Sequence, residues 1–205
     1  YSKPSVCRAV GILKKEGYQG CESIETADLI LVNTCSIREN AEQRVWGRLD
    51  HFLQEKRKRR DIIVGVLGCM AERVKEKLLE HPVVDIVAGP DTYRNLPQMI
   101  RKLQESPKQI DITLSRYETY SDISPVRTDK NGVTSFISIM RGCNNMCTYC
   151  IVPYVRGYER SRDPHSIVNE ARELFEMGYK EVNLLGQNVD SYLWINPENP
   201  TEKVN

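Results

Sequence analysis

No run of about eighteen consecutive apolar residues occurs in this 205-residue chain, which excludes a transmembrane helix. Excess charge of one sign is also missing. The chain has 29 Lys and Arg against 28 Asp and Glu, a formal net charge of +1. No overall field therefore draws it to nucleic acid, and such binding has to come from a local patch. The opening Tyr1-Ser2-Lys3-Pro4 leads into a mixed polar segment with no apolar signal-peptide core. The chain does not begin with methionine, and both ends read as cut. Disulfide pairing is poorly served by seven cysteines, an odd number, most of them in loop contexts. That count suits a reducing compartment, with the cytoplasm as the expected location. The apolar share of 40% is ordinary for a globular protein.

Nor does any cysteine follow Cys150. This matters because Arg141-Gly142-Cys143-Asn144-Asn145-Met146-Cys147-Thr148-Tyr149-Cys150 carries three cysteines at C-x3-C-x2-C spacing. Three thiolates hold three corners of a cubane iron–sulfur cluster and leave one iron open to a ligand that is not protein. Clusters that only carry electrons are usually closed by four cysteines, so an open corner points to chemistry at that iron. Zinc is the alternative, but it wants a fourth ligand. The nearest histidine, His165, lies fifteen residues on, beside Pro164 at an expected helix start. Gly142, Asn144 and Asn145 make the segment a loop rather than a core element.

The first half of the chain alternates strand and helix. A helix is expected around Val6 to Glu16. Ala27 to Asn33 reads as a strand buried on both faces, and Ser36 with Glu39 as a capping box opening a helix towards Phe52. Ile62 to Leu67 is the next strand, followed by a helix over Ala71–Leu79, a strand over Val84–Ala88 and a helix over Leu96–Leu103. Such alternation predicts a parallel sheet with helices on its faces, an α/β class. Residues 1–104 are read as the first domain and 105–132 as a polar linker with a short extended segment at Ile110–Thr113. Residues 133–205 are read as the start of a (β/α) barrel. Its first strand is Thr134–Met140. Asp163 caps a helix with Pro164 at its first position, whose apolar face is Ile167, Val168, Ala171, Leu174 and Phe175. Gly178 ends the helix, and Val182–Leu185 is the next strand. A full eightfold barrel needs about 250 residues, so an incomplete one is expected.

Cys35 and Cys69 each follow a buried strand and open onto a helix. In a parallel sheet these positions share the carboxyl edge, where ligands bind. If the two strands are neighbours, both sulfurs face one site, and helix amino termini favour thiolates there. Buried small residues are the plain alternative. Cys7, inside the first helix, and Cys21, in the turn after it, are weaker candidates for a third ligand. Lys56-Arg57-Lys58-Arg59-Arg60 is a basic run at a helix end. It suits RNA phosphates or simply the helix dipole. Arg156, Arg160 and Arg162 follow the cysteine loop and could hold a cofactor, hold RNA, or pair with Glu159 and Asp163.

The cysteine loop resembles the signature of radical S-adenosylmethionine enzymes. Asn33-Thr34-Cys35-Ser36-Ile37-Arg38-Glu39-Asn40-Ala41-Glu42 and Gly68-Cys69-Met70-Ala71-Glu72 resemble two motifs of the methylthiotransferase family within that superfamily. Ile151 to Arg162 and Leu184-Leu185-Gly186-Gln187-Asn188-Val189 extend the likeness. The resemblance implies two 4Fe–4S clusters and S-adenosylmethionine. One cluster sits on Cys143, Cys147 and Cys150, and an auxiliary one on Cys35, Cys69 and an upstream cysteine in a Gly-Cys-x-x-Asn segment that this sequence does not contain. The auxiliary site is therefore expected to be under-ligated. Tyr149, Gln187 and Asn188 are implied cofactor contacts. The likeness is strongest to the branch that methylthiolates carbon 2 of N6-isopentenyladenosine beside the tRNA anticodon. The anticodon stem-loop and an electron donor such as flavodoxin are then partners of a monomer with no membrane association. Other branches act on threonylcarbamoyl-adenosine or on a ribosomal-protein aspartate. A non-catalytic zinc module that binds RNA is the reading from another class.

Overall fold

The computed structural model describes residues 3–36, 39–123, 125–126 and 133–205. The chain forms two compact units: residues 3–11 with 115–205, and residues 12–114. The first helix, α1 (Lys3–Lys15), spans the division between them.

In the unit of residues 12–114, β1 (Leu29–Thr34), α2 (Glu39–Lys58), β2 (Ile63–Gly68), α3 (Cys69–Val74), α4 (Glu76–Leu79), β3 (Ile86–Ala88), α5 (Leu96–Lys102) and β4 (Gln109–Asp111) follow in order. The four strands form one parallel sheet in sequence order. This is the α/β alternation expected from the continuous apolar runs. Val64, Val66, Val87, Leu49, Phe52, Met70 and Leu78 make up its buried core. The short extended segment read at Ile110–Thr113 is β4, which completes the sheet at one edge. The single helix expected over Ala71–Leu79 is broken. Lys75 takes a φ of 55° and its N–H bonds Ala71 O at 3.0 Å, ending α3 before α4 begins. The capping box of Ser36 and Glu39 lies outside the described residues, because Ile37, Arg38 and the Glu39 side chain are not among them.

The unit of residues 115–205 contains β5 (Thr134–Ser138), β6 (Met140–Arg141), α6 (Val152–Arg156), β7 (Arg160–Ser161), α7 (Pro164–Glu176), β8 (Glu181–Leu185), β9 (Trp194–Ile195) and β10 (Lys203–Val204). β5 and β8 pair in parallel across α7, the expected βαβ unit. Asp163 caps α7 as anticipated, its carboxylate accepting from the N–H groups of His165 and Ser166. Gly178 (φ 90°) follows its end. The apolar face of α7 is narrower than the sequence suggests. Ile167, Ala171 and Leu174 pack on Ile137, Ile139 and Met140. Val168 and Phe175 stay exposed, because a two-stranded sheet covers only part of a helix face. Among the described residues no helix is long and apolar enough to cross a membrane.

Candidate metal centre

The cysteine loop rises from a pinched neck. β6 and β7 pair antiparallel, Met140 opposite Ser161 and Arg141 opposite Arg160, so everything between them is one excursion from the sheet. Its first three residues are each fixed. Gly142 N–H donates to Gln187 Oε1 at 2.7 Å, Cys143 N–H to Gly157 O at 3.3 Å, and Asn144 Oδ1 accepts from Glu159 N–H at 3.0 Å. Gly142 has φ 75°, and a Cβ there would lie 2.0 Å from Tyr158 O, so only glycine fits. Further out the loop is held locally, with Cys150 N–H bonded to Cys147 O at 2.9 Å. Cys143 is buried at the base, Cys150 half-buried and Cys147 exposed, none of them in a disulfide. Tyr149 beside them is 94% exposed. Among the described residues no three His, Cys, Asp or Glu side chains are gathered closely enough to hold a metal ion. As donors the three thiols nevertheless fit a cubane cluster. They lie within eight residues on one loop, one rooted and two accessible, with no histidine or carboxylate between Cys143 and Cys150 to favour zinc.

The second cysteine pair depends on strand neighbourhood, and the register supplies it. β1 and β2 are adjacent, with Thr34 opposite Gly68. Cys35 and Cys69 each come directly after the strand end and so share one carboxyl edge. Cys35 is exposed and Cys69 buried. Gly68 has φ 96°, and a Cβ there would lie 2.6 Å from Thr34 O; the absence of a side chain is what lets the two strand ends close up. Thr34 Oγ1 donates to Leu67 O at 2.7 Å, and the buried Tyr93 donates its hydroxyl to Asn33 Oδ1 at 3.2 Å. α3 begins at Cys69 itself, whereas α2 begins four residues beyond Cys35. Glu72, one turn from Cys69, is 5% exposed, and its Oε2 has no hydrogen-bond partner. Burial, reinforced by Asp91 and Asp111 and opposed by Lys75, raises its carboxyl to about 7.

Two known families match the chain. Uncharacterized protein family UPF0004 matches residues 5–89, and the Radical SAM superfamily matches residues 137–198. A tRNA-2-methylthio-N(6)-dimethylallyladenosine synthase of Amoebophilus asiaticus is 59% identical over 90% of this chain and 38% of its own length. The Christiangramia forsetii protein of the same name is 58% identical over 89% and 38%. That of Bacteroides thetaiotaomicron is 53% identical over 94% and 42%. The chain therefore carries a UPF0004 domain followed by part of a Radical SAM domain, and it is similar over most of its length to these synthases. It spans about two fifths of the length of the curated relatives it matches.

Against the pattern that the methylthiotransferase resemblance implies, the structure brings Cys35 and Cys69 to one sheet edge and roots Cys143 beside Gln187. Asn188 bonds Ser191 through its amide at 2.9 Å. Cys7 is buried in α1, and Cys21 is exposed with its thiol near Ser23 O at 3.5 Å. The arginines read as candidate cofactor or RNA ligands are largely engaged inside their own unit. Arg160 donates to Arg156 O at 2.8 Å and to Ser115 O. Arg162 is buried in an ion pair with Glu170, not with Glu159 or Asp163, and its Nε donates to Ser166 Oγ at 2.9 Å. Arg8 is buried against the same group. Desolvation first, then Arg141 and Arg162, lowers it to about 10. In the basic run, Lys56 pairs with Asp85, Lys58 with Glu55 at 2.8 Å and Arg59 with Asp28 at 2.7 Å. Sequence reasoning passed over Tyr93 and the Gly89-Pro90-Asp91 turn. Their signal was present, since that turn follows β3 at the same carboxyl edge as both cysteines.

Proposed function

We propose that this chain is part of a tRNA methylthiotransferase acting on carbon 2 of N6-isopentenyladenosine beside the anticodon. The observation that carries this reading is the rooted three-cysteine loop, in a chain 51–59% identical to relatives named for that product. In this reading Cys143, Cys147 and Cys150 hold a radical 4Fe–4S cluster, and Cys35 and Cys69 hold two corners of an auxiliary one. With S-adenosylmethionine bound, these clusters supply the radical that removes the hydrogen from carbon 2 and the methylated sulfur that replaces it. The chain's residues bind and orient. Gly142 and Gly68 let backbone approach closely where each set of thiols leaves the sheet. In the same reading the Tyr149 backbone would meet the cofactor adenine, and Asn188 would be a further contact. The tRNA anticodon stem-loop is the substrate, a flavodoxin-like protein the electron donor, and a cytoplasmic monomer the working form.

The test uses a bacterial strain lacking its own 2-methylthio modification and the complete gene that encodes this chain. Mass spectrometry of hydrolysed tRNA is expected to recover 2-methylthio-N6-isopentenyladenosine. Unchanged isopentenyladenosine, with methylthio groups found instead on threonylcarbamoyl-adenosine or on a ribosomal protein, overturns the proposal.

A further inference from the structure

Gln187 stands two residues beyond β8, where the family resemblance suggests a direct cofactor contact. Its observed partner is the protein itself. Oε1 accepts the N–H of Gly142, the residue immediately before Cys143, at 2.7 Å. Two close approaches make this contact possible. A Cβ at Gly186 would lie 2.4 Å from Met140 Cγ, so the end of β8 is pressed against β6. A Cβ at Gly142 would meet Tyr158 O at 2.0 Å, so the chain leaves β6 in a left-handed turn against the returning segment. That turn points the Gly142 N–H towards the end of β8, and Gln187 satisfies a donor on a buried residue.

We propose that Gln187 is a positioning residue for the radical cluster: through its amide oxygen and Gly142 it fixes the direction in which Cys143 leaves the sheet. This rests on the reading that Cys143, Cys147 and Cys150 hold a cluster. The other two cysteines hang from an exposed arm held by local turns, whereas Cys143 is rooted. The geometry of its backbone therefore sets the geometry of the whole site. The role needs an acceptor and makes no demand on the amide N–H groups, which separates it from direct cofactor binding.

The experiment compares the reconstituted wild-type chain with Gln187→Met, which keeps the volume and removes the acceptor, and Gln187→Glu, which keeps an acceptor and removes the amide donors. Iron release to a chelator and the electron paramagnetic resonance change on adding S-adenosylmethionine are both measured. In Gln187→Met, iron release is expected to quicken roughly tenfold, the scale of one hydrogen bond, and the S-adenosylmethionine response to weaken. Gln187→Glu is expected to behave as wild type. Wild-type behaviour in Gln187→Met overturns the proposal, as does a Gln187→Glu chain that holds iron but no longer responds to S-adenosylmethionine. If Gln187→Met does not fold, Gln187→Glu alone decides by the same criterion. A wild-type chain that takes up no iron and sulfide removes the cluster reading itself, and this proposal with it.

Discussion

Glu72 is a side chain whose environment departs far from what its chemistry prefers. The Gly68 to Glu72 motif places it one turn after Cys69, and the fold then buries it with an unpartnered oxygen against Gly89. Its folded-state value of about 7 lies above the ordinary 4.5. Between those values the folded chain keeps a proton that the unfolded chain has released, so stability falls as pH rises through that window. The interval corresponds to at most on the order of 3 kcal/mol. Glu72→Gln is therefore expected to be more stable than wild type at pH 8 and nearly equal to it at pH 4, as read by chemical denaturation. Equal stability at both values, or a variant weaker at pH 8, contradicts this account of the carboxyl. The motif contained Glu72 without singling it out. It did not reveal the charge state, which depends first on burial and then on Asp91 and Asp111 arriving from other parts of the chain.

At the scale of elements, local chemistry was the more legible part. Asp163-Pro164 announces the start of α7, and the carboxylate does accept two backbone N–H groups there. Asp163→Ala is expected to cost about 1 kcal/mol of stability in thermal or urea unfolding; no measurable cost would mean that packing alone holds that helix end. The apolar runs of β1 and β2 showed two strands, but only β2 is buried; β1 lies at the sheet edge and is half-buried over Leu29–Asn33 rather than covered on both faces. Their adjacency was conditional until the register placed Thr34 opposite Gly68 and hence Cys35 beside Cys69. What the sequence hid were features set by three-dimensional neighbours. The break at Lys75 has no glycine or proline to mark it. Val168 and Phe175 fit the helical period yet meet no second layer. Arg162 finds its partner eight residues on, in Glu170, rather than next door.

For the whole molecule, each compact unit carries one set of thiols at the carboxyl end of its parallel strands: Cys35 and Cys69 in one, Cys143, Cys147 and Cys150 in the other. The same logic of parallel sheets, with backbone closed up by glycine and side chains presented at the strand ends, accounts for both. Everything proposed about chemistry depends on those thiols holding iron and sulfide. The decisive measurement is therefore anaerobic reconstitution followed by iron, sulfide and zinc analysis, comparing the chain with a variant in which Cys143, Cys147 and Cys150 are alanine. The account predicts a brown chain with at least about four irons and matching sulfide, of which about four are lost in the variant. A chain that binds zinc without sulfide, or whose iron is untouched by the three substitutions, contradicts it.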